Sequence, residues 1–365
     1  MAYKVLHSLA AMSPGGAQTF IMNVYRNIDK TKYQFDFLLN NGDGAYREEI
    51  EQLGGHIFVV PSRHEGILKE RKALDEFFRN HGSEYNAVHI HRSSLTNIEV
   101  LKYAKKYGIV RRIIHCHSTS QVGWMHQLMH WWRKPVVHDW ANKFLACSEV
   151  AADWMYKWTG VREKVFEVIN GIDTSLYQFN LTTKNEVRTE LGIPHDALVV
   201  GHVGRFLEVK NHTFILDIFK EILNGRPNTY LLLAGTGVLF ESIKQKALDL
   251  DIYDHILFLG NRNDIPRLLS AMDFMLFPSL YEGLPFAPVE AQAAGVRVLC
   301  SDRVSPEVRL SDGLKFMSLD LSAKEWAGAL FNFEQVDKEE MRQAVIKGGY
   351  DIMATIKMME EKVYV

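Results

Sequence analysis

Short apolar runs recur along the chain and alternate with helix-length stretches, and this spacing constrains the fold more than any other feature. A first series falls at 3–9, 35–39, 57–60, 87–90, 112–114, 144–147 and 165–169, and a second at 198–203, 230–233, 256–259, 274–277 and 296–299. Runs this short and this continuously apolar read as strands buried on both faces, with the intervening helices covering a parallel sheet. Two series imply two α/β domains. Between them, Thr174, Ser175, Asn180, Thr182, Thr183, Lys184 and Asn185 make 173–186 polar, so it reads as a linker leading into a short helix at 186–191. The domains are then 1–172 and 187–345. The last stretch, 346–365, is helical and Met-rich, with Ile352, Ile356, Met359 and Val363 at helical spacing.

A chain of 365 residues with 47% hydrophobic content supplies two cores, and a net charge of −2 makes no case for nucleic acid. Cys116, Cys147 and Cys300 are far apart and odd in number, which argues against a disulfide framework or a cysteine zinc site and for a reducing cytoplasm. The chain enters a strand pattern at Tyr3, and no apolar run reaches the roughly 18–20 residues of a membrane span, so a soluble or peripheral protein is expected.

Residues 277–302 concentrate the chemistry. Strand-like runs flank a helix expected at 287–294, with Pro288 suited to its first position and Glu290 in its first turn. The preceding loop, Glu282-Gly283-Leu284-Pro285, then meets a helix N-terminus whose free N–H groups favour an anion such as a diphosphate. Glu282 and Glu290 are acceptors beside that site, suited to the hydroxyls of a sugar and of a ribose. The alternative is that both are simply solvated, with Glu290 favouring the helix dipole.

Five other loops follow strands. Gly15 and Gly16, at the first strand-to-helix turn, either let backbone N–H groups approach a ligand or supply a positive φ. His115 and His117 could ligate a metal, but no further acid, Cys or His lies nearby in sequence to complete a set; a histidine at a strand end more often orients a hydroxyl or sits satisfied in the fold, and His89 and His91 read as structural. After Gly204, Arg205 and Lys210 can clamp a diphosphate, the guanidinium as a fork and the ammonium as a point charge, or form an ordinary basic loop. Gly235-Thr236-Gly237 and Asn261-Arg262 are weaker signals, since glycine after a strand is usually a turn. Asp249-Leu250-Asp251 reads as a surface feature. The segment 124–134, with Trp131-Trp132-Arg133-Lys134, reads as an amphipathic core helix ended by Pro135, the alternative being a surface that seats the protein on a membrane.

The run from Pro278 and Ser279 through Glu282-Gly283, Pro285, Glu290-Ala291 and Gly295 resembles the E-x7-E motif of retaining GT-B glycosyltransferases. These form the large bacterial polysaccharide and lipopolysaccharide group (glycosyltransferase family 4, "glycosyl transferases group 1"). Gly204-Arg205 with Lys210-Asn211 is similar to a second segment of that family, and the resemblance spans essentially the whole chain. It implies two Rossmann-like domains facing each other across a cleft, with the C-terminal helix crossing back to the N-terminal domain. It further implies a metal-independent retaining hexosyltransferase that needs no cofactor, whose donor is a nucleotide-sugar, a UDP-sugar foremost. Acceptors of the group are glycans or lipid-linked sugars, and the implied location is the cytoplasm or the inner face of the membrane. By residue, Arg205 and Lys210 are expected to stabilise the leaving diphosphate, Glu282 and His117 to contact the donor sugar, and Glu290 to hold the ribose. Gly15, Gly16, Gly204, Gly235, Thr236, Gly237, Asn261, Arg262, Gly283, Leu284 and Pro285 are expected to line the donor pocket. A GT-B nucleotide-sugar epimerase or a non-catalytic nucleotide-sugar-binding protein would share this fold.

Overall fold

The computed structural model describes residues 2–13, 15–117 and 124–364, those of 124–127 by backbone alone. Pro14 of the first loop, and Ser118 and Thr119 after His117, lie outside the described residues. Two compact units result: Met1–Gly171 with Ile352–Val365, and Ile172–Asp351.

The first unit holds seven parallel strands: β1 (Tyr3–Leu9), β2 (Tyr33–Leu39), β3 (Ile57–Val59), β4 (Ala87–Arg92), β5 (Arg111–Cys116), β6 (Lys143–Ala146) and β7 (Val165–Glu167), in the order β3-β2-β1-β4-β5-β6-β7. The second holds six: β8 (Leu198–Val203), β9 (Thr229–Ala234), β10 (Ile256–Gly260), β11 (Phe274–Phe277), β12 (Arg297–Ser301) and β13 (Leu314–Met317), in the order β10-β9-β8-β11-β12-β13. Central strands are buried on both faces, which is why they read as unbroken apolar runs. In the first core, Leu6, Val88, Ile90 and Ile114 pack on Leu74, Phe78 and Tyr156; in the second, Val200, Leu231, Leu233 and Leu276 pack on Ile215, Phe219, Ile222 and Trp326. β13 was not among the expected runs, because an edge strand that carries Lys315 and is only partly buried has no continuous apolar signal.

Each sheet reverses its strand order once, between β1 and β4 and between β8 and β11. At such a point, successive loops leave the carboxyl ends of the strands in opposite directions and open a crevice.

Two boundaries differ from expectation. Residues 173–186 are not a free linker but part of the second unit. Asn180 caps a helix at Leu181–Glu190 by accepting from the N–H groups of Thr182 and Thr183. Within that helix the buried Arg188 donates to the carbonyls of Ala271 and Ala197 and to Asp273, while Lys184 also binds Asp273. A polar sequence concealed a helix whose one buried face is built from Val187 and a fully bonded arginine. The terminal stretch is also broken: Gly349 has φ 82, and the chain rejoins the first unit at Ile352. There Thr355 Oγ1 donates to Ile169 O (3.1 Å), and Tyr364 packs on Tyr3, Tyr33 and Phe35.

Candidate active site

The loops leaving β8, β9, β10 and β11 are tied together by their backbones. Gly204 N–H donates to Ala234 O (2.9 Å), Phe206 N–H to Thr236 O (2.9 Å), Gly235 N–H to Gly260 O (2.7 Å) and Leu280 N–H to Val209 O (2.8 Å). Two glycines are obligatory. Gly235 has φ 143, and a Cβ there would lie 2.0 Å from Gly204 O; Gly237 has φ 159, and its Cβ would lie 2.5 Å from Phe206 O. Thr236 Oγ1 donates to Asn261 Oδ1 (3.1 Å), whereas Arg262 is engaged as a fork by Asp264 at 2.7 and 2.6 Å. The expected residues of these loops therefore do converge, with Arg262 already committed to a neighbour.

Lys210 and Glu282 come from the loops on either side of the β8/β11 reversal. The ammonium donates to both carboxylate oxygens, at 2.7 and 2.9 Å, and Ser279 Oγ donates to Glu282 Oε1 at 2.7 Å. The two side chains are 16% and 17% exposed, and the ammonium lies 4.8 Å from the centroid of the Phe277 ring. Asn211, in the left-handed region at φ 55, joins the two loops by donating from Nδ2 to Pro278 O (3.1 Å). The pairing orients a carboxylate whose remaining lone pairs can accept from hydroxyls, next to a cation that can meet an anion. Arg205 is exposed and its side chain makes no hydrogen bond or ion pair among the described residues, so its guanidinium is available. Behind Gly204 stands buried His202, whose Nδ1 bonds Leu276 O (2.9 Å) and whose Nε2 would lie 2.8 Å from any Cβ at that glycine. Burial holds this imidazole neutral, far below its usual range.

The helix carrying Glu290 runs Phe286–Ala293, with Pro285 extended at its cap and no side chain closing it. Pro288 is thus not the first helical residue but the third, because Pro285 already stops the preceding loop. The open N–H groups of the first turn belong to Phe286 and Ala287, since Pro285 and Pro288 have none. Glu290, one turn further on, is half-buried and accepts from Tyr177 OH (2.9 Å). Burial raises its carboxyl above the ordinary range, and the tyrosine hydrogen bond opposes that rise. Leu284 is half-buried, whereas Gly283 is exposed and a Cβ there would meet nothing within 4 Å.

In the first unit, Gly15 caps the helix Gly16–Asn27 in an extended conformation (φ −178, ψ 163), so neither glycine supplies a positive φ. A Cβ on Gly15 would lie 2.7 Å from Gln18 Oε1, and one on Gly16 would be clear. What the pair does is leave the helix end bare. His117, half-buried at the carboxyl end of β5, has Nε2 2.8 Å from His91 Nδ1, and His91 Nε2 is in turn 3.0 Å from His7 Nδ1. Burial lowers His117 to about 3, so it meets a ligand as a neutral imidazole. His115, fully buried beside it, has no partner for either ring nitrogen.

The remaining motifs fall on surfaces. Asp249 and Asp251 are exposed where the helix Phe240–Asp249 ends. At 124–134, Lys134 is buried and donates to Trp154 O and Lys157 O, yet Leu128, Trp131, Trp132 and the neighbouring Trp158 are exposed, Trp132 by 79%. No helix among the described residues is long and apolar enough to cross a membrane.

Four contributors escaped the sequence reading. Ser279 lies three residues before Glu282 and was within reach of a local reading. Tyr177 is 113 residues from its partner, and His202 and His7 sit inside apolar strands, so only the fold connects them.

Residues 183–351 match the family described as Glycosyl transferases group 1, and residues 14–176 match Glycosyltransferase Family 4. The putative glycosyltransferase EpsF of Bacillus subtilis (strain 168) is 34% identical over 97% of this chain and 94% of its own. A UDP-Gal:alpha-D-GlcNAc-diphosphoundecaprenol alpha-1,3-galactosyltransferase of Escherichia coli is 27% identical over 67% of this chain and 66% of its own. Among solved structures, Anabaena HepE in complex with UDP-glucose matches 98% of both chains with a TM-score of 0.77 at 19% identity, a likeness of fold. With two Rossmann-like units of GT-B type and matches along nearly its whole length, the chain belongs to the group 1 glycosyltransferases.

Proposed function

We propose that this glycosyltransferase moves a hexosyl group from a UDP-sugar to a glycan or lipid-linked acceptor, with retention at the anomeric carbon and without an essential metal, in exopolysaccharide or capsule assembly. The observation that carries the reading is the Lys210–Glu282 pair with Ser279 at the β8/β11 reversal. As the bond to the anomeric carbon breaks, negative charge develops on the departing diphosphate. Arg205 and Lys210 stabilise it, the role a divalent cation fills elsewhere. Glu282 accepts from hydroxyls of the sugar, Glu290 from the ribose, and His117 offers a neutral imidazole to a sugar hydroxyl. Bare N–H groups at Phe286 and Ala287, and the glycine turns at Gly204, Gly235 and Gly237, favour the diphosphate.

A uridine donor is supported by the E. coli relative, named for UDP-Gal, and by the HepE complex with UDP-glucose. A lipid-linked acceptor is supported by the same relative's name and by exposed Trp131, Trp132 and Trp158, side chains that suit a membrane surface. The test is a panel of UDP- and GDP-sugars read first by thermal stabilisation, then by transfer in EDTA with the product anomer assigned by NMR. Stabilisation by UDP-sugars and transfer with retention in EDTA are expected. Activity lost in EDTA and restored by manganese, an inverted product, or isomerised sugar without acceptor would each overturn the proposal.

A further inference from the structure

Five imidazoles share one face of the central strands of the first sheet. The register pairs His7 with His89 and His91 with His115, and the two-residue spacing on β4 keeps His89 and His91 on the same side. His117 follows, its ring 3.9 Å from that of His115 and 5.1 Å from that of His91. The separation in sequence that made a metal improbable for His115 and His117 is removed by the parallel pairing.

The cluster is short of partners. His7 Nε2, His89 Nε2, both nitrogens of His115 and His117 Nδ1 are buried and unbonded among the described residues. Each such group left unpaired costs stability that a ligand would restore. Among the described residues no carboxylate is bonded to any of the five rings. Two sets of three have their ligand atoms within 4.8 Å of one another: His7, His89 and His91, and His91, His115 and His117. They share His91, so only one can be complete at a time. The first is fully buried, while the second is open to solvent at His117.

We propose that His91, His115 and His117 bind a divalent transition metal of the zinc class, with the fourth position open. Three neutral imidazoles without a carboxylate suit zinc, copper or nickel rather than magnesium, calcium or manganese. His91 Nδ1 and His117 Nε2 now face each other at 2.8 Å and must part by about half an ångström to share a tetrahedral ion at Zn–N distances of roughly 2.0–2.1 Å. His91 then carries its proton on Nε2 and donates it to His7 Nδ1, already 3.0 Å away, which orients the ligand as metal-bound histidines require. The ion is distinct from the donor diphosphate, which is assigned to the second unit. If His117 contacts the sugar as proposed above, zinc occupies that nitrogen and inhibits transfer, and EDTA relieves the inhibition.

The test reads the metal itself. The full chain, stripped with chelator, is titrated with cobalt(II), and zinc is measured by equilibrium dialysis. Expected are the visible d–d bands of tetrahedral cobalt, their loss on adding zinc, and one zinc per chain. His115→Ala, which breaks no hydrogen bond, and His117→Gln, at the open end, should each weaken binding at least about tenfold. His64→Ala, exposed elsewhere in the unit, should leave it unchanged. Absence of bands, or wild-type zinc affinity in both cluster variants, overturns the proposal. UDP binding to the same samples, scored separately, tests the donor reading and not this one.

Discussion

Glu282→Gln separates two roles that the structure places in one contact. Glutamine keeps the volume and one carbonyl oxygen for Lys210 and Ser279 but removes the charge that holds the ammonium at 2.7 and 2.9 Å. A hydrogen bond between charged groups contributes about 1.5–3 kcal/mol, and side-chain exposures of 16% and 17% argue for the lower end. In the variant that interaction no longer competes with an incoming diphosphate, and the ammonium over Phe277 is left without its counter-ion. UDP binding should therefore tighten by about 1.4 kcal/mol, or tenfold. Turnover should move the other way: an amide oxygen is a weaker acceptor for sugar hydroxyls, and a loss of about 2–3 kcal/mol in the transition state lowers kcat by about 30- to 160-fold. Calorimetric titration with UDP and initial rates with a UDP-sugar, on samples of matched melting temperature, measure both. UDP affinity that is unchanged or weaker in a folded Glu282→Gln protein refutes the reasoning, because Lys210 would then not reach the diphosphate.

Arg205→Ala and Lys210→Ala should each lower kcat by about a hundredfold in the same rate assay. Tyr177→Phe deletes the 2.9 Å bond to Glu290 and should weaken UDP by about fivefold, close to 1 kcal/mol, with kcat much less affected. Gly235→Ala, with φ 143 and a Cβ 2.0 Å from Gly204 O, should destabilise the second unit by at least about 2 kcal/mol, whereas Gly283→Ala, facing open space, should melt like wild type. His7 is held near 3 against about 6.5 in an unfolded chain, so the unfolded state binds more protons between those values. Its contribution to stability is complete above about pH 6.5 and is lost as pH falls towards 3, with about 2 kcal/mol gone by about pH 5. A melting temperature that is flat from pH 7.5 to 5 would contradict this.

The fold was legible wherever burial on both faces made a strand continuously apolar, so β1, β8 and β11 fall on their expected limits. It was illegible where a polar residue is buried by bonding rather than by hydrophobicity. Arg188 satisfies its guanidinium on carbonyls of the second unit, and nothing local distinguishes it from a surface arginine. The site divides the same way. Lys210, Glu282 and Glu290 lie in local motifs with a chemical rationale, so a single sequence could nominate them. That Lys210 binds Glu282, or that Tyr177 binds Glu290, is a property of strand order across 72 and 113 residues, and no spacing rule encodes it.

The two sheets reverse at equivalent points but place their polar groups differently, and the difference decides what each can do. In the second unit the groups lie on loops beyond the strands, where lysine and glutamate pair partly open to solvent. In the first, five imidazoles lie on the strands or just beyond them, where burial keeps them neutral. On the reading proposed above, a charged diphosphate belongs with Arg205 and Lys210, while the histidine face offers lone pairs and N–H groups to hydroxyls or to a metal. Acidification attacks these unequally. Protons that the buried imidazoles refuse must be taken up by unfolding, and five of them stand in the first unit against His202 and His212 in the second, so the first unit should open first as pH falls.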